Sequence, residues 1–173
     1  LEQQMSDKPP PPAGDAQRRM LISMLRGTEA HMGFDDAVAR FPAWAMNQRG
    51  PNVSYTPWHI LEHLRITQWD ILHYIEDPTG HASPDWPVGY WPAPNAETDE
   101  AGFRQTVEQF RDDLRALEGI AADMSVDLFA VLEGTPGHTV FRELTVVGNH
   151  NSYHVGEFAS LRQVMGSWPS DHQ

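Results

Sequence analysis

The stretch Gly148-Asn149-His150-Asn151-Ser152-Tyr153-His154-Val155-Gly156-Glu157 decides how the rest of the chain is read. It lies inside a helical pattern that starts at Thr139, runs to Met165 and stops at Gly166, a residue suited to a left-handed helix end. His150 and His154 are four residues apart, so they stand one above the other on a helix, and Val147, Phe158 and Leu161 extend the same stripe toward the interior. Two imidazoles therefore face the core. A neutral imidazole is a common ligand for zinc, nickel, iron or copper, and side chains at this spacing can both reach one ion at ~2.0–2.1 Å per bond. Nine histidines scattered at random along the chain would give roughly 0.4 such pairs, so spacing alone does not separate a metal site from hydrogen-bonded core histidines.

Working outward, the whole chain of 173 residues is one domain by length, large enough to bury a core without covalent staples. It has no cysteine, which excludes disulfides, Cys-ligated zinc, iron–sulfur clusters and a Cys nucleophile. Any transition-metal site must then be built from His, Asp and Glu. A formal charge of -12 argues against nucleic acid or an anionic membrane as a partner. No apolar run approaches the ~20 residues of a membrane span, and the first residues carry no basic, apolar and small-residue leader pattern. The expected location is cytoplasmic.

Residues 1–14 end in Lys8-Pro9-Pro10-Pro11-Pro12-Ala13-Gly14 and read as a loose polyproline tail, followed by one helical domain over 15–168 and a short tail over 169–173. A first helix is expected over Ala16–Phe41, its apolar pattern including Met20, Leu25, Phe34 and Val38 and interrupted by Gly27 and Gly33. Thr56-Pro57 is a cap followed by proline at the first helical position, so a second helix is expected over Trp58–Glu76. Its stripe is Ile60, Leu61, Leu64, Ile71, Leu72 and Ile75, with His63 at the edge and His59 further toward solvent. Residues 77–97, rich in proline and containing Trp86, Tyr90 and Trp91, form a long loop. A third helix follows over Thr98–Asp123 with Phe103, Val107, Phe110, Leu114 and Leu117 buried, and Thr139–Met165 is the fourth.

Four amphipathic helices and no convincing strand make an all-α four-helix bundle the economical fold. The loop over 77–97 can extend up to ~3.3 Å per residue, roughly 70 Å, against ~30 Å for the second helix, so helices two and three can lie parallel through a crossover.

A second pair at the same spacing is His59-Ile60-Leu61-Glu62-His63, which matches the H-x-x-E-H pattern of inverzincin metallopeptidases. Those enzymes need a much larger α/β scaffold, and the alternative is that only the inward His63 is a ligand. Ser54-Tyr55-Thr56-Pro57-Trp58-His59-Ile60-Leu61-Glu62-His63-Leu64, taken with Asn149-His150-Asn151-Ser152-Tyr153-His154-Val155-Gly156-Glu157 and Leu161-Arg162, resembles the DinB/YfiT family. The resemblance spans roughly residues 17–166. It implies a four-helix bundle in up-down-down-up order, a homodimer, and a divalent metal (zinc, nickel or iron) held by His63, His150 and His154. It also implies a small-molecule substrate. The reaction is then either metal-dependent hydrolysis or transfer of a low-molecular-weight thiol such as bacillithiol, mycothiol or glutathione.

Three protein ligands leave positions open, where a water is acidified or a thiol held as thiolate. Glu157 falls on the same face one turn on, as a general base, a fourth ligand, an acceptor orienting an imidazole, or a partly exposed carboxylate with no such role. Glu62 reads as a helix-surface charge or a group behind the ligands. His31 and Asp70 either approach the cleft or are spent elsewhere, Asp70 pairing with a cation and His31 in the core of the first helix. His73, His81, His138 and His172 have no partner at ligand spacing, and Tyr153 and Trp58 read as core packing. Trp86, Tyr90 and Trp91 either cap the cleft or cover a bundle seam or dimer face. Two further readings stand beside the enzyme: a protein that holds a metal or ligand without catalysis, and a metal-free structural bundle.

Overall fold

The computed structural model describes residues 13–171; the tail over residues 1–12 and His172 lie outside the described residues. Among the described residues the chain is all-helical, with α1 (Ala13–Arg26), α2 (Phe34–Val38), α3 (Pro57–Glu76), α4 (Glu100–Ala122) and α5 (Val140–Met165). Short 3-10 turns occur at Ala43–Ala45 and Val88–Tyr90. No helix among the described residues is long and apolar enough to cross a membrane.

Helix starts follow the hydroxyl and carboxylate caps. The Thr56 side chain accepts from His59 N–H, Asp99 from Gly102 N–H and Thr139 from Arg142 N–H, each satisfying an otherwise orphaned first-turn donor. Asp99 rather than Thr98 caps α4, and Ala13 and Gly14, expected in the tail, begin α1.

The expected first helix is broken. Gly27 adopts φ +66, a left-handed conformation that ends α1 at Arg26, and the chain becomes helical again only for the single turn of α2. A Cβ on Gly27 would also lie 2.7 Å from the His31 ring. Gly27→Ala is therefore expected to cost about 1–2 kcal/mol of stability in a denaturant titration. Leu25 is buried as expected, but Leu21 rather than Met20 joins it, Met20 being 62% exposed.

Packing joins α1 to α4 and α5, and α3 to α4 and α5. One core cluster holds Phe34, Val38, Ile60, Leu61, Leu64, Phe103, Val107, Phe110, Val155, Phe158 and Leu161. The other holds Leu21, Leu25, Ile71, Leu72, Leu117, Leu144 and Val147. Each fully buried aliphatic contributes about 1.5–3 kcal/mol of transfer free energy, so these stripes hold the helices together. At Gly148 a Cβ would come within 2.8 Å of Met24, so glycine lets α1 pack closely on α5. A buried amide chain crosses the core: Asn151 Nδ2 donates to Gln68 Oε1 at 2.8 Å, and Gln68 Nε2 to the Phe110 carbonyl at 2.7 Å.

Arg162 is 0% exposed although charged. Its guanidinium donates to the carbonyls of Ala37 (2.6 Å), Ala39 (3.0 Å) and Ser167 (3.0 Å) and lies 3.7 Å from the centroid of the Trp168 ring. Burial lowers its pKa to about 10, still well above neutrality. It ties the end of α2 and the chain after α5 to one fork of donors.

Candidate metal centre

His63 enters from α3, His150 and His154 from α5, and the three ligand-capable nitrogens lie within 4.8 Å of one another. His63 Nε2 is 3.0 Å from His150 Nε2 and 3.2 Å from His154 Nε2. His63 is buried and the other two are half-buried.

The outer nitrogens fix what the inner ones can do. His63 Nδ1 is 2.7 Å from the Tyr90 carbonyl, which can only accept, so Nδ1 carries the proton and Nε2 presents a lone pair. His154 Nδ1 is 2.7 Å from Glu157 Oε2, an acceptor, so Nδ1 carries a proton and the neutral ring presents a lone pair at Nε2. In that form two lone pairs face each other, and a proton on His150 Nε2 can satisfy one of them but not both. His150 Nδ1 is itself buried without a partner. Burial, reinforced by the neighbouring imidazoles, holds the His150 pKa down to about 3, so that ring stays neutral. Burial also lowers the pKa of His63.

One cation between the three nitrogens satisfies all of them. Bonds of ~2.0–2.1 Å place neighbouring donor nitrogens about 2.9 Å apart at right angles and about 3.4 Å apart at tetrahedral angles. The observed separations of 3.0 and 3.2 Å fall inside that interval. The third pair, His150 with His154, lies within 4.8 Å, so the group can hold a metal ion.

The surroundings hold the rings. Glu157 accepts from His154 Nδ1–H and from the Tyr55 hydroxyl; its pKa is lowered first by the His154 bond, and that of Tyr55 is pushed up to about 12 chiefly by Glu157. Of the roles open to Glu157, the structure gives the acceptor that orients an imidazole. Trp91 lies flat on His63, centroids 3.9 Å apart and planes within 5°. Trp91 thus covers one face of His63 and the Tyr90 carbonyl meets its Nδ1, whereas Trp86 is 81% exposed, its ring edge-on to that of Tyr90.

Several sequence expectations are corrected. His59 is 3% exposed rather than solvent-facing, because residues of the long loop fold over it and its Nε2 donates to the Ala96 carbonyl at 2.8 Å. It is not part of the histidine group, so the H-x-x-E-H pattern does not form a site. Glu62 accepts from Thr106 and Arg65, away from the histidines. His31, for which the sequence left open an approach to the cleft or a place in the core of the first helix, is exposed in the break after α1 and bonds Ser152 Oγ at 2.8 Å. Tyr153 is 70% exposed, since the stripe that buries Asn151 and Val155 turns residue 153 outward. Trp58 does pack on the core, with its Nε1–H on Thr106. His81 and His138 lie outside the histidine group, as expected, and are held by hydrogen bonds: His81 donates to Asp70 at 2.7 Å, and His138 Nδ1 bonds the Tyr74 hydroxyl at 2.9 Å. His73 bonds the Trp69 carbonyl of its own helix. Tyr55 as the partner of Glu157 was not anticipated, because the two are 102 residues apart and no periodicity links them.

Clefts of about 420 and 380 Å³ open along α2 and α4, away from the histidines. The charges of the larger one pair among themselves, Arg26 with Glu118 and Arg111 with Asp35.

A pH dependence follows for the chelated protein. The folded pKa of His150 is depressed to about 3 from an ordinary value of 6.5, so its contribution to stability is complete above 6.5 and is lost as pH falls toward 3. Between pH 7 and 4.5 the melting temperature in chelator is expected to fall by roughly 5–10 °C more for the parent chain than for His150→Gln. Equal slopes in a thermal-melt series would show that His150 is not held neutral.

Comparisons of the chain with family models, with curated proteins and with solved structures found no match.

Proposed function

We propose that this chain is a DinB/YfiT-like protein that holds a divalent metal through His63, His150 and His154 and uses it as a hydrolase or a low-molecular-weight-thiol S-transferase. The observation that carries the reading is the convergence of three imidazole nitrogens from α3 and α5 within 4.8 Å of one another, with the outer nitrogens of His63 and His154 committed as donors to the Tyr90 carbonyl and to Glu157. Three neutral imidazoles suit zinc, nickel or iron(II).

The helix order implied by the resemblance has support in the contacts. Along α3 and α4 the partners rise together, Glu62 with Thr106 and Gln68 with Phe110, as in parallel neighbours. Along α3 and α5 they run oppositely, His63 with His154 and Gln68 with Asn151. Arg18 with Ala121 and Arg26 with Glu118 run oppositely for α1 and α4. We read this as a four-helix bundle in up-down-down-up order with the long loop as its crossover.

A divalent ion in this group supplies Lewis acidity that lowers the pKa of an arriving water or thiol. The protein's own part is to present three Nε2 lone pairs, to hold the His154 Nδ1 proton on Glu157, and to keep water off one face of His63 with Trp91. Glu157 and Tyr55 stand on the outer side of His154, where they orient that ring.

The test begins with elemental analysis of untagged protein, expected near one equivalent of transition metal. Loaded protein is then mixed with low-molecular-weight thiols and a chlorinated or epoxide electrophile, and separately with ester and amide panels. Turnover in either arm that is lost in His63→Ala supports the enzyme. Full metal occupancy without turnover assigns the alternative, a non-catalytic metal-binding protein, and failure to take up metal overturns both.

A further inference from the structure

The long loop after α3 is fastened to one carboxylate. Asp70, 6% exposed, accepts from His81 Nε2–H at 2.7 Å on one oxygen and from the Tyr90 hydroxyl at 2.6 Å on the other. A single buried side chain therefore closes the segment 81–90 at both of its ends. The opposite end of Tyr90 reaches the histidines: its carbonyl accepts His63 Nδ1–H at 2.7 Å. The next residue, Trp91, lies flat on the same ring.

Helix geometry sets this arrangement. Seven residues turn a helix to within about 20° of two full turns and raise it by about 10 Å, so His63 and Asp70 share one face of α3. Tyr90 spans the interval between them, hydroxyl on Asp70 and carbonyl on His63. A carboxylate suits the place because each of its oxygens accepts one hydrogen bond, and the bond from the Tyr90 hydroxyl needs only one of them.

We propose that Asp70 is a positioning residue for His63: through the Tyr90 hydroxyl it sets where the Tyr90 carbonyl sits, and that carbonyl fixes the tautomer and orientation that turn His63 Nε2 toward His150 and His154. Its consequence for metal rests on the ligand role given to His63 above. The tautomer itself exists without metal and is tested without it.

The measurement is the tautomer of His63 in the metal-free full chain, read from long-range proton–nitrogen correlations after ¹⁵N-histidine labelling. The parent is expected to show the Nδ1–H form alone. Tyr90→Phe and Asp70→Ala are expected to mix in the Nε2–H form and, in zinc competition against a chromophoric chelator, to raise Kd about 10- to 100-fold. Asp70→Asn keeps an acceptor oxygen for the Tyr90 hydroxyl and is expected to restore the parent tautomer. Tyr74→Phe removes a comparable hydroxyl from α3, one bonded to His138 and not to His63, and is expected to change neither reading. Should Asp70→Ala fail to fold, Tyr90→Phe, which removes a single oxygen, decides by itself. A pure Nδ1–H form in Tyr90→Phe overturns the proposal, even with altered Kd, because Asp70 and Tyr90 then serve loop stability alone. If the parent takes up no zinc, the metal reading falls while the tautomer still decides the positioning role.

Discussion

With His150 replaced by alanine, the protein is expected to retain less than about a tenth of an equivalent of transition metal and to lose the thermal stabilisation that zinc gives the parent. A ligand that binds only the folded state stabilises by about 2.7 kcal/mol at a hundred times its Kd, or roughly 5–10 °C for a chain of this size. His150 is the sensitive choice because its Nε2 stands 3.0 Å from His63 Nε2, and only His63 and His154 would remain. Glu157→Gln separates ligand from support. The amide oxygen still accepts His154 Nδ1–H but brings no charge, so zinc affinity is expected to fall about tenfold without abolishing binding. An alanine variant that keeps a full equivalent and the whole shift in melting temperature would remove His150 from the centre.

The second large effect lies away from the histidines. Arg162→Ala is expected to destabilise the chain by about 3–5 kcal/mol in a denaturant titration, with unfolding still cooperative. The change leaves the carbonyls of Ala37, Ala39 and Ser167 without their side-chain donor in a buried place and opens a cavity beneath Trp168. Arg162→Met restores most of the volume but none of the donors, and is expected to recover less than half of the loss. Arg162→Lys is expected to fall short as well, because a point-like ammonium cannot serve carbonyls on both sides as a planar fork does. A methionine variant within about 1 kcal/mol of the parent would show that Arg162 acts by filling space.

The helices of the chain were legible where local chemistry acts alone. Thr56-Pro57 and Thr139 announce helix starts because a side chain three residues away takes a first-turn N–H, and Gly166 announces an end; the start of α4 was placed one residue before its cap Asp99, at Thr98. The stripes of α3, α4 and α5 followed from periodicity for the same reason. The first helix was misread because its apolar pattern continues through Gly27, and pattern does not register a left-handed residue.

Position 154 was marked by a neighbour four residues away, and His63 entered the group through likeness to a family. The rest was hidden because the deciding atoms belong to backbone or to distant chain. The Tyr90 carbonyl that sets His63 has no counterpart in a list of side chains. Arg162 entered only with the motif that carries the resemblance, and its burial depends on the Ala37 and Ala39 carbonyls, 125 and 123 residues away in the chain.

By itself the sequence determined α3, α4 and α5, the absence of cysteine chemistry, and two imidazoles on one face of α5, because spacing along a helix fixes which side chains are neighbours. Tertiary structure alone decided that His63 joins them with its lone pair inward, that His59 does not, and that Asp70 and Tyr90 stand behind His63. A proton's place on an imidazole depends on what lies against its other nitrogen, and for His63 that neighbour is brought only by the folding of the long loop.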